Sequence, residues 1–191
     1  HKSEPRSIVE VETPGVTTIE ELTDFLEIDP EQTAKAVLVM AEPLDGGDTF
    51  PVFAVIRGDL EVNDVKLMNA IGARSLEPMN DTQISDYGLV AGYASPINLS
   101  NSLKTIADIS ISGAINLVSG ANKPDTHLRN TNYGRDWTAD LVTDIALAGE
   151  DHLCAHCPED VASRLRARRG IEMGHVFRLG TTYTNHFAVT V

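Results

Sequence analysis

Ala36-Val37-Leu38-Val39-Met40, a turn at Asp45-Gly46-Gly47-Asp48, and a second run Phe50-Pro51-Val52-Phe53-Ala54-Val55-Ile56 form the stretch that decides the fold. The first run is strand-sized and nearly free of polar residues, which marks a buried strand. The glycine pair permits a reversal, and the second run returns. The reading is a hairpin with a long loop, its strands adjacent and antiparallel near residues 36–41 and 50–56.

Upstream of this hairpin, Asp29-Pro30-Glu31-Gln32 predicts the start of a second helix, with Asp as cap and Pro in the first turn. Lys35 then falls at a helix end and a strand start, where a solvated lysine suits the helix dipole. Thr18-x-x-Glu21 is a capping box, and Ile19, Leu22, Phe25 and Leu26 share one helical face. Thr13-Pro14-Gly15 marks a turn, and residues 1–12 read as a linker with an extended lead-in.

Downstream, Asn63 caps a helix carrying Val65, Leu67, Met68 and Ile71, which Gly72 ends. Leu76–Met79 predicts a short strand, and Asn80-x-x-Gln83 opens a short helix. Leu89–Tyr93 and Lys104–Asp108 read as strands. Residues 109–118 fit either a strand or a helix. The Gly-, Asn-, Asp- and Thr-rich residues 120–137 fit a functional loop or short strands joined by turns. Residues 149–160 read as a linker, and Gly170–Leu179 as a strand. No regular βαβ rhythm emerges, so the class is α+β, with a mixed or barrel-like central sheet and surrounding helices.

The chain has 191 residues, 42% hydrophobic and 23% charged, enough for an ordinary core. Fifteen basic residues against 28 acidic ones give a net charge of −13. That charge argues against holding nucleic acid by bulk phosphate neutralisation, though not against a nucleic acid held mainly by another domain. No apolar run reaches the roughly 18 residues of a membrane span. Two cysteines make no disulfide framework, and no secretory signal is evident, so a cytoplasmic setting is the expectation.

Cys154-x-x-Cys157, with His152 and His156, is the most visible motif. Four well-spaced zinc ligands are lacking, so no metal is expected there. Nothing matches a dinucleotide fingerprint, a P-loop or a nucleophile elbow. Lys35, Asp108 and His127 each read singly as structural. Arg164, Arg166, Arg168 and Arg169 form a basic patch, which reads as a solvated face or as a contact for a phosphate backbone or an acidic partner domain.

Taken in order, the motifs carry more. Residues 11–22, Val-Glu-Thr-Pro-Gly-Val-Thr-Thr-Ile-Glu-Glu-Leu, are followed by Thr33-Ala34-Lys35-Ala36-Val37-Leu38-Val39. Then come Arg57-Gly58-Asp59-Leu60-Glu61-Val62-Asn63-Asp64-Val65-Lys66, Gly92-Tyr93-Ala94-Ser95-Pro96, Ala107-Asp108, Ser119-Gly120-Ala121-Asn122, His127 and Asn132-Tyr133-Gly134-Arg135-Asp136. This series resembles the inserted, YbaK-like editing domain of bacterial-type prolyl-tRNA synthetases. Residues 169–184 resemble the point where such a chain re-enters the catalytic domain. The departures are Asp108-Ile109, where the family has Asp-Arg, and Arg178-Leu179, where it has Gln-Leu.

The resemblance implies an editing domain over residues 13–160 and a return segment over 161–191. The implied activity is hydrolysis of Ala-tRNA(Pro) in a pocket too small for proline, because missing methylenes give the synthetic site too little discrimination. It implies Lys35, Asp108 and His127 as catalytic residues, and Thr13, Gly92, Pro96, Gly120 and Asn122 as substrate-binding ones. Lys35 would hold the terminal phosphate or adenosine, Asp108 the ammonium or the pocket's shape, and His127 the pocket's size. Gly92 and Gly120 would let backbone approach the ester. Thr13, Lys35, Gly92, Asp108, Gly120 and His127 are expected to converge on one pocket. No metal or cofactor is implied for the domain; ATP and magnesium belong to the full synthetase. The implied partners are the tRNA(Pro) acceptor end and the catalytic and anticodon-binding domains, in a homodimer and without a membrane. A free-standing deacylase acting in trans and a non-catalytic synthetase-associated module are the alternatives.

Overall fold

The computed structural model describes residues 4–154, 157, 163–171, 173–176, 178, 180 and 181. The chain divides into two compact units, His1–Leu147 and Ala148–Val191.

The first unit runs β1 (Val9–Glu12), α1 (Ile19–Leu26), a single 3-10 turn (Pro30–Gln32), β2 (Ala34–Pro43), β3 (Phe50–Arg57), α2 (Asp64–Ile71), β4 (Ala73–Pro78) and α3 (Asp81–Asp86). It continues with β5 (Lys104–Asp108), α4 (Ile109–Ser112), β6 (Leu117–Gly120), β7 (Thr126–Thr131) and β8 (Leu141–Thr143). One sheet has the order β4-β2-β3-β5-β8, and a smaller one the order β1-β7-β6. In the larger sheet β2 pairs antiparallel with β3 and β4, while β3–β5 and β5–β8 are parallel. The fold is therefore α+β with mixed pairing, as the sequence predicts. The central hairpin is in register from Ala34 opposite Arg57 to Ala41 opposite Phe50.

β3 sits in the middle, and its alternation divides the core. Val52, Ala54 and Ile56 pack with Leu67 and Ile71 of α2 and with Ile106. Phe53 and Val55 face the other way, onto Ile84, Leu103, Ile111 and Trp137. A strand buried on both faces needs a continuous apolar run, which is what residues 50–56 supply. The predicted caps form. Thr18 and Glu21 exchange both bonds of the capping box on α1. Asn63 caps α2, and Gly72 ends it at φ 72°. Asn80 and Gln83 close the box on α3.

Several predicted elements take another form. Asp29–Gln32 yields one 3-10 turn, because Thr33 is already extended and buried in a parallel bridge to Val118 of the smaller sheet. Lys35 consequently lies inside β2, opposite Ile56, and at no helix end. Leu89–Tyr93 is a turn. Gly88 and Gly92 adopt φ 73° and 79°, which a strand does not accommodate, and the Tyr93 N–H closes onto the Val90 carbonyl at 2.9 Å. The ambiguous residues 109–118 resolve into one helical turn capped by Asp108 and the start of β6. The polar stretch 120–137 holds β7, which pairs with both β1 and β6, so the extended lead-in 9–12 is a strand of the domain. β8 is only three residues long, and no sequence signal marks it.

In the second unit Leu153 bridges Arg164, and the Leu165 N–H donates to the His152 carbonyl at 2.8 Å. The strand predicted over Gly170–Leu179 does not form at the described residues of that segment; Glu172, Phe177 and Leu179 lie outside them. Most of the return segment beyond Gly180 also lies outside the described residues. Among the described residues no helix is long and apolar enough to cross a membrane.

Phe53 is fully buried against the second face of the core. Phe53→Ala should cost about 3–5 kcal/mol. Urea denaturation should show this as a lower midpoint with an unchanged slope.

Candidate functional site

One cleft, of about 520 Å³, opens where the two sheets and α1 meet. Ala34, Lys35, Ala36 and Leu38 of β2 form one side of it, and His127 of β7 and Gly120 of β6 another. The start of α1 (Thr17 to Ile19) and the turn at Ala91, Gly92 and Ala94 close it in. Lys35, Gly92, Gly120 and His127 thus come together from four separate parts of the chain.

The other candidates lie elsewhere. Thr13 is fully buried behind the cleft, where its Oγ1 meets Nδ1 of His127 at 2.6 Å. Asp108 is 1% exposed and does not line the cleft. Its carboxylate accepts the backbone N–H of Ser110 and of Ile145, both at 2.8 Å, tying β5 to α4 and to the segment after β8. The neighbouring Ile109 is largely exposed, so the departure from Asp-Arg falls on the surface. Pro96 lines a different depression, beside Leu103 and Trp137. Asn122 acts through the loop. Its Oδ1 accepts the Ser95 N–H at 2.9 Å, and its own N–H donates to the Tyr93 carbonyl at 2.8 Å.

The glycines earn their places by close approach. A Cβ on Gly120 would stand 2.2 Å from the Tyr93 carbonyl oxygen, and one on Gly92 would stand 3.0 Å from Thr17 Cγ2. They bring chain against chain around the cleft, with Asn122 as the clamp.

Electrostatically the cleft has one cation and one imidazole. Lys35 Nζ is paired with Glu61 Oε1 at 2.7 Å; the lysine side chain is 20% exposed and the glutamate 74%. Glu61 is a cleft residue that the sequence reading quoted but did not single out, since its partner lies 26 positions away. Glu21 accepts the N–H groups of Thr17 and Thr18, which holds its carboxyl below the usual range and fills the amino end of α1. His127 is 5% exposed and packs at a tilt against Tyr93, with ring centroids 5.4 Å apart. Burial depresses its pKa below the ordinary 6.5. Asp125 belongs to none of the sequence motifs, and Tyr93 stands in one without being singled out. The Tyr93 hydroxyl donates to Asp125 Oδ1 at 3.0 Å, and that oxygen also accepts the Gly15 N–H at 2.7 Å. These bonds lower the pKa of Asp125, that of Gly15 first, while burial and then Asp125 raise that of Tyr93.

Thr13 and His127 resemble a nucleophile with its base, but Thr13 has no open surface from which to reach a ligand. Among the described residues no group of three or more His, Cys, Asp or Glu could hold a metal. Cys154 and Cys157 are not joined in a disulfide, His152 accepts the Gly149 N–H at Nδ1, and His156 lies outside the described residues. The cleft thus presents a cation, an imidazole and backbone-rich walls to whatever occupies it.

A family model described as an aminoacyl-tRNA editing domain matches residues 13–136, and the chain belongs to that family. A proline–tRNA ligase of Dehalococcoides mccartyi is 45% identical over 186 residues, 97% of this chain and 31% of its own length. One from Salinispora tropica is 42% identical over 180 residues, 93% and 29% of the respective lengths. The chain thus spans less than a third of these relatives. Among solved structures, a protein proposed to be a trans-editing enzyme for prolyl tRNA synthetase superposes with a TM-score of 0.54 at 17% identity, covering 65% of this chain and 76% of that one. That likeness is one of fold.

Two measurements probe this site. Gly120→Ala should destabilise the domain by about 1–3 kcal/mol, because backbone must move to admit the methyl; thermal melting reads it. The His127 linkage has a definite sign. With a folded pKa below the unfolded one, the unfolded chain binds more protons, so stability falls as pH drops through about 6.5 toward the depressed value. His127→Gln should remove that part of the slope in urea midpoints collected from pH 7.5 downward.

Proposed function

We propose that this chain is the editing domain of a prolyl-tRNA synthetase and that it hydrolyses Ala-tRNA(Pro) while sparing Pro-tRNA(Pro). The observation that carries this reading is the meeting of Lys35, His127, Gly92 and Gly120 in one cleft, within a chain of the aminoacyl-tRNA editing family. An aminoacyl ester is already activated. Its hydrolysis needs positioning, a water and stabilisation of the developing oxyanion, with no metal or covalent nucleophile.

In this reading Lys35 takes the phosphate or adenosine at the acceptor end. Its ion pair with the exposed Glu61 is worth at most about 1 kcal/mol, so an incoming phosphate displaces the carboxylate cheaply. His127 stands against the aminoacyl group and sets how large it can be. Asn122 and Thr13 support the walls from behind, through Ser95 and His127, while Asp108 and Pro96 serve the fold away from the cleft. The domain needs no cofactor; ATP and magnesium serve the synthetase's other domains. With a net charge of −13 the domain relies on the catalytic and anticodon-binding domains of its own homodimeric enzyme to hold the tRNA.

Deacylation assays on both esters test this. The parent chain should release alanine and leave proline attached. Lys35→Ala should slow alanine release by roughly tenfold to a hundredfold, the worth of a charge-assisted bond. His127→Ala should enlarge the pocket and narrow the difference between the esters. Equal rates on both esters with the parent protein would refute the proposal.

A further inference from the structure

The hydrogen bond between Thr13 and His127 runs one way or the other according to the tautomer of the imidazole, and burial weighs the two unequally. Thr13 is 0% exposed, and the sole acceptor within reach of its hydroxyl among the described residues is Nδ1 of His127, at 2.6 Å. Two arrangements are conceivable. If Nδ1 carried the proton and donated to Oγ1, the threonine O–H would be buried at 0% exposure with no acceptor among the described residues. If the hydroxyl donates to a bare Nδ1, every donor in the pair is used. A buried donor left unmade costs far more than an unused lone pair.

The other ring nitrogen is the open one. Nε2 has no protein partner among the described residues, yet it is not among the buried polar atoms left unsatisfied, and His127 lines the cleft. Doubly protonating the ring would again leave the Thr13 hydroxyl without an acceptor, in line with the lowered pKa.

We propose that Thr13 is a positioning residue whose buried hydroxyl donates to Nδ1 of His127 and holds the imidazole in the Nε2–H tautomer, turning a hydrogen-bond donor into the cleft. His127 therefore cannot accept a proton from water at its open face. It gives a hydrogen bond to an acceptor of the ligand. This use rests on the function proposed above, where the acceptor is the ester carbonyl oxygen, and the tautomer does not. Three segments fix the geometry. The Thr13 N–H donates to the Asp125 carbonyl at 2.8 Å, the Asp125 carboxylate holds Gly15 and Tyr93, and Tyr93 packs on the imidazole.

The test is nitrogen NMR on the chain labelled with 15N-histidine, with the His127 signals assigned by their loss in His127→Gln. The expected spectrum at neutral pH has a bare Nδ1 and a protonated Nε2. Thr13→Ser should keep that pattern, and Thr13→Val should lose it to a mixture or to the Nδ1–H form. In parallel, alanine release from Ala-tRNA(Pro) should fall roughly three- to tenfold in Thr13→Val and recover in Thr13→Ser. A protonated Nδ1 in the parent spectrum would overturn the proposal, and so would a Thr13→Val protein that keeps the Nε2–H form. Should Thr13→Val fail to fold, the parent spectrum alone decides. An expected spectrum with unchanged hydrolysis in Thr13→Val would overturn the donor's use on the ester. An inactive parent protein would count against the substrate, and the spectrum would still decide the tautomer.

Discussion

The pairing of β2 with β3 is the constraint from which the rest of the domain follows. β3 is buried on both faces, so it cannot exist without a layer on each side. α2 and the segment after β8 supply one layer; α3, α4 and the residues around Trp137 supply the other. β2 is less covered. Its Ala34, Ala36 and Leu38 are only partly buried, and they face the open side where the smaller sheet stands off. The cleft is the place where a two-sided sheet runs out of covering elements. Small residues at 34 and 36 keep it from filling with side chains.

The smaller sheet joins this frame through the Thr33–Val118 bridge. Gly58 makes the junction possible, because a Cβ there would overlap the Thr33 hydroxyl at 1.8 Å. Lys35 is two residues from the bridge along β2, and Gly120 is two residues from it along β6. The geometry of the site thus depends on a short parallel contact that joins the two sheets. A shift in that contact would move the cation and the backbone wall relative to each other.

Local signals in this chain were legible because they are satisfied locally. The capping boxes at Thr18 and Asn80, the Asn63 cap, the Gly72 stop and the apolar runs of the hairpin each depend on residues within a few positions of one another. The misread segments depend on distant partners. Residues 89–93 have strand-like composition, but Gly88 and Gly92 impose left-handed backbone, and Gly120 closes on them from 27 or more positions away. The Asp29 signal was a real helix start that Thr33 cut short by pairing with Val118. In the cleft, Lys35, Gly92, Gly120 and His127 were legible through ordered motifs. Glu61, Tyr93 and Asp125 were not, because their parts arise from contacts across the fold. Asp108 shows the reverse: its motif is visible, and its carboxylate holds backbone away from the cleft.

A pocket that sorts ligands by size works only if its walls resist being pushed apart. Packed interiors yield little, and loops yield readily unless tied. Here the loop wall at Gly92–Ser95 is tied from three sides. Asn122 bonds both backbone groups of Ser95, Gly120 lies directly under Tyr93, and the Tyr93 hydroxyl is fastened to Asp125. Asp125 in turn holds Thr13 and Gly15, the turn from which α1 departs toward the cleft. The two walls are therefore coupled through one aspartate that does not line the cleft. Widening the cleft at either wall strains the same set of bonds, so the loop wall and the α1 wall resist displacement together.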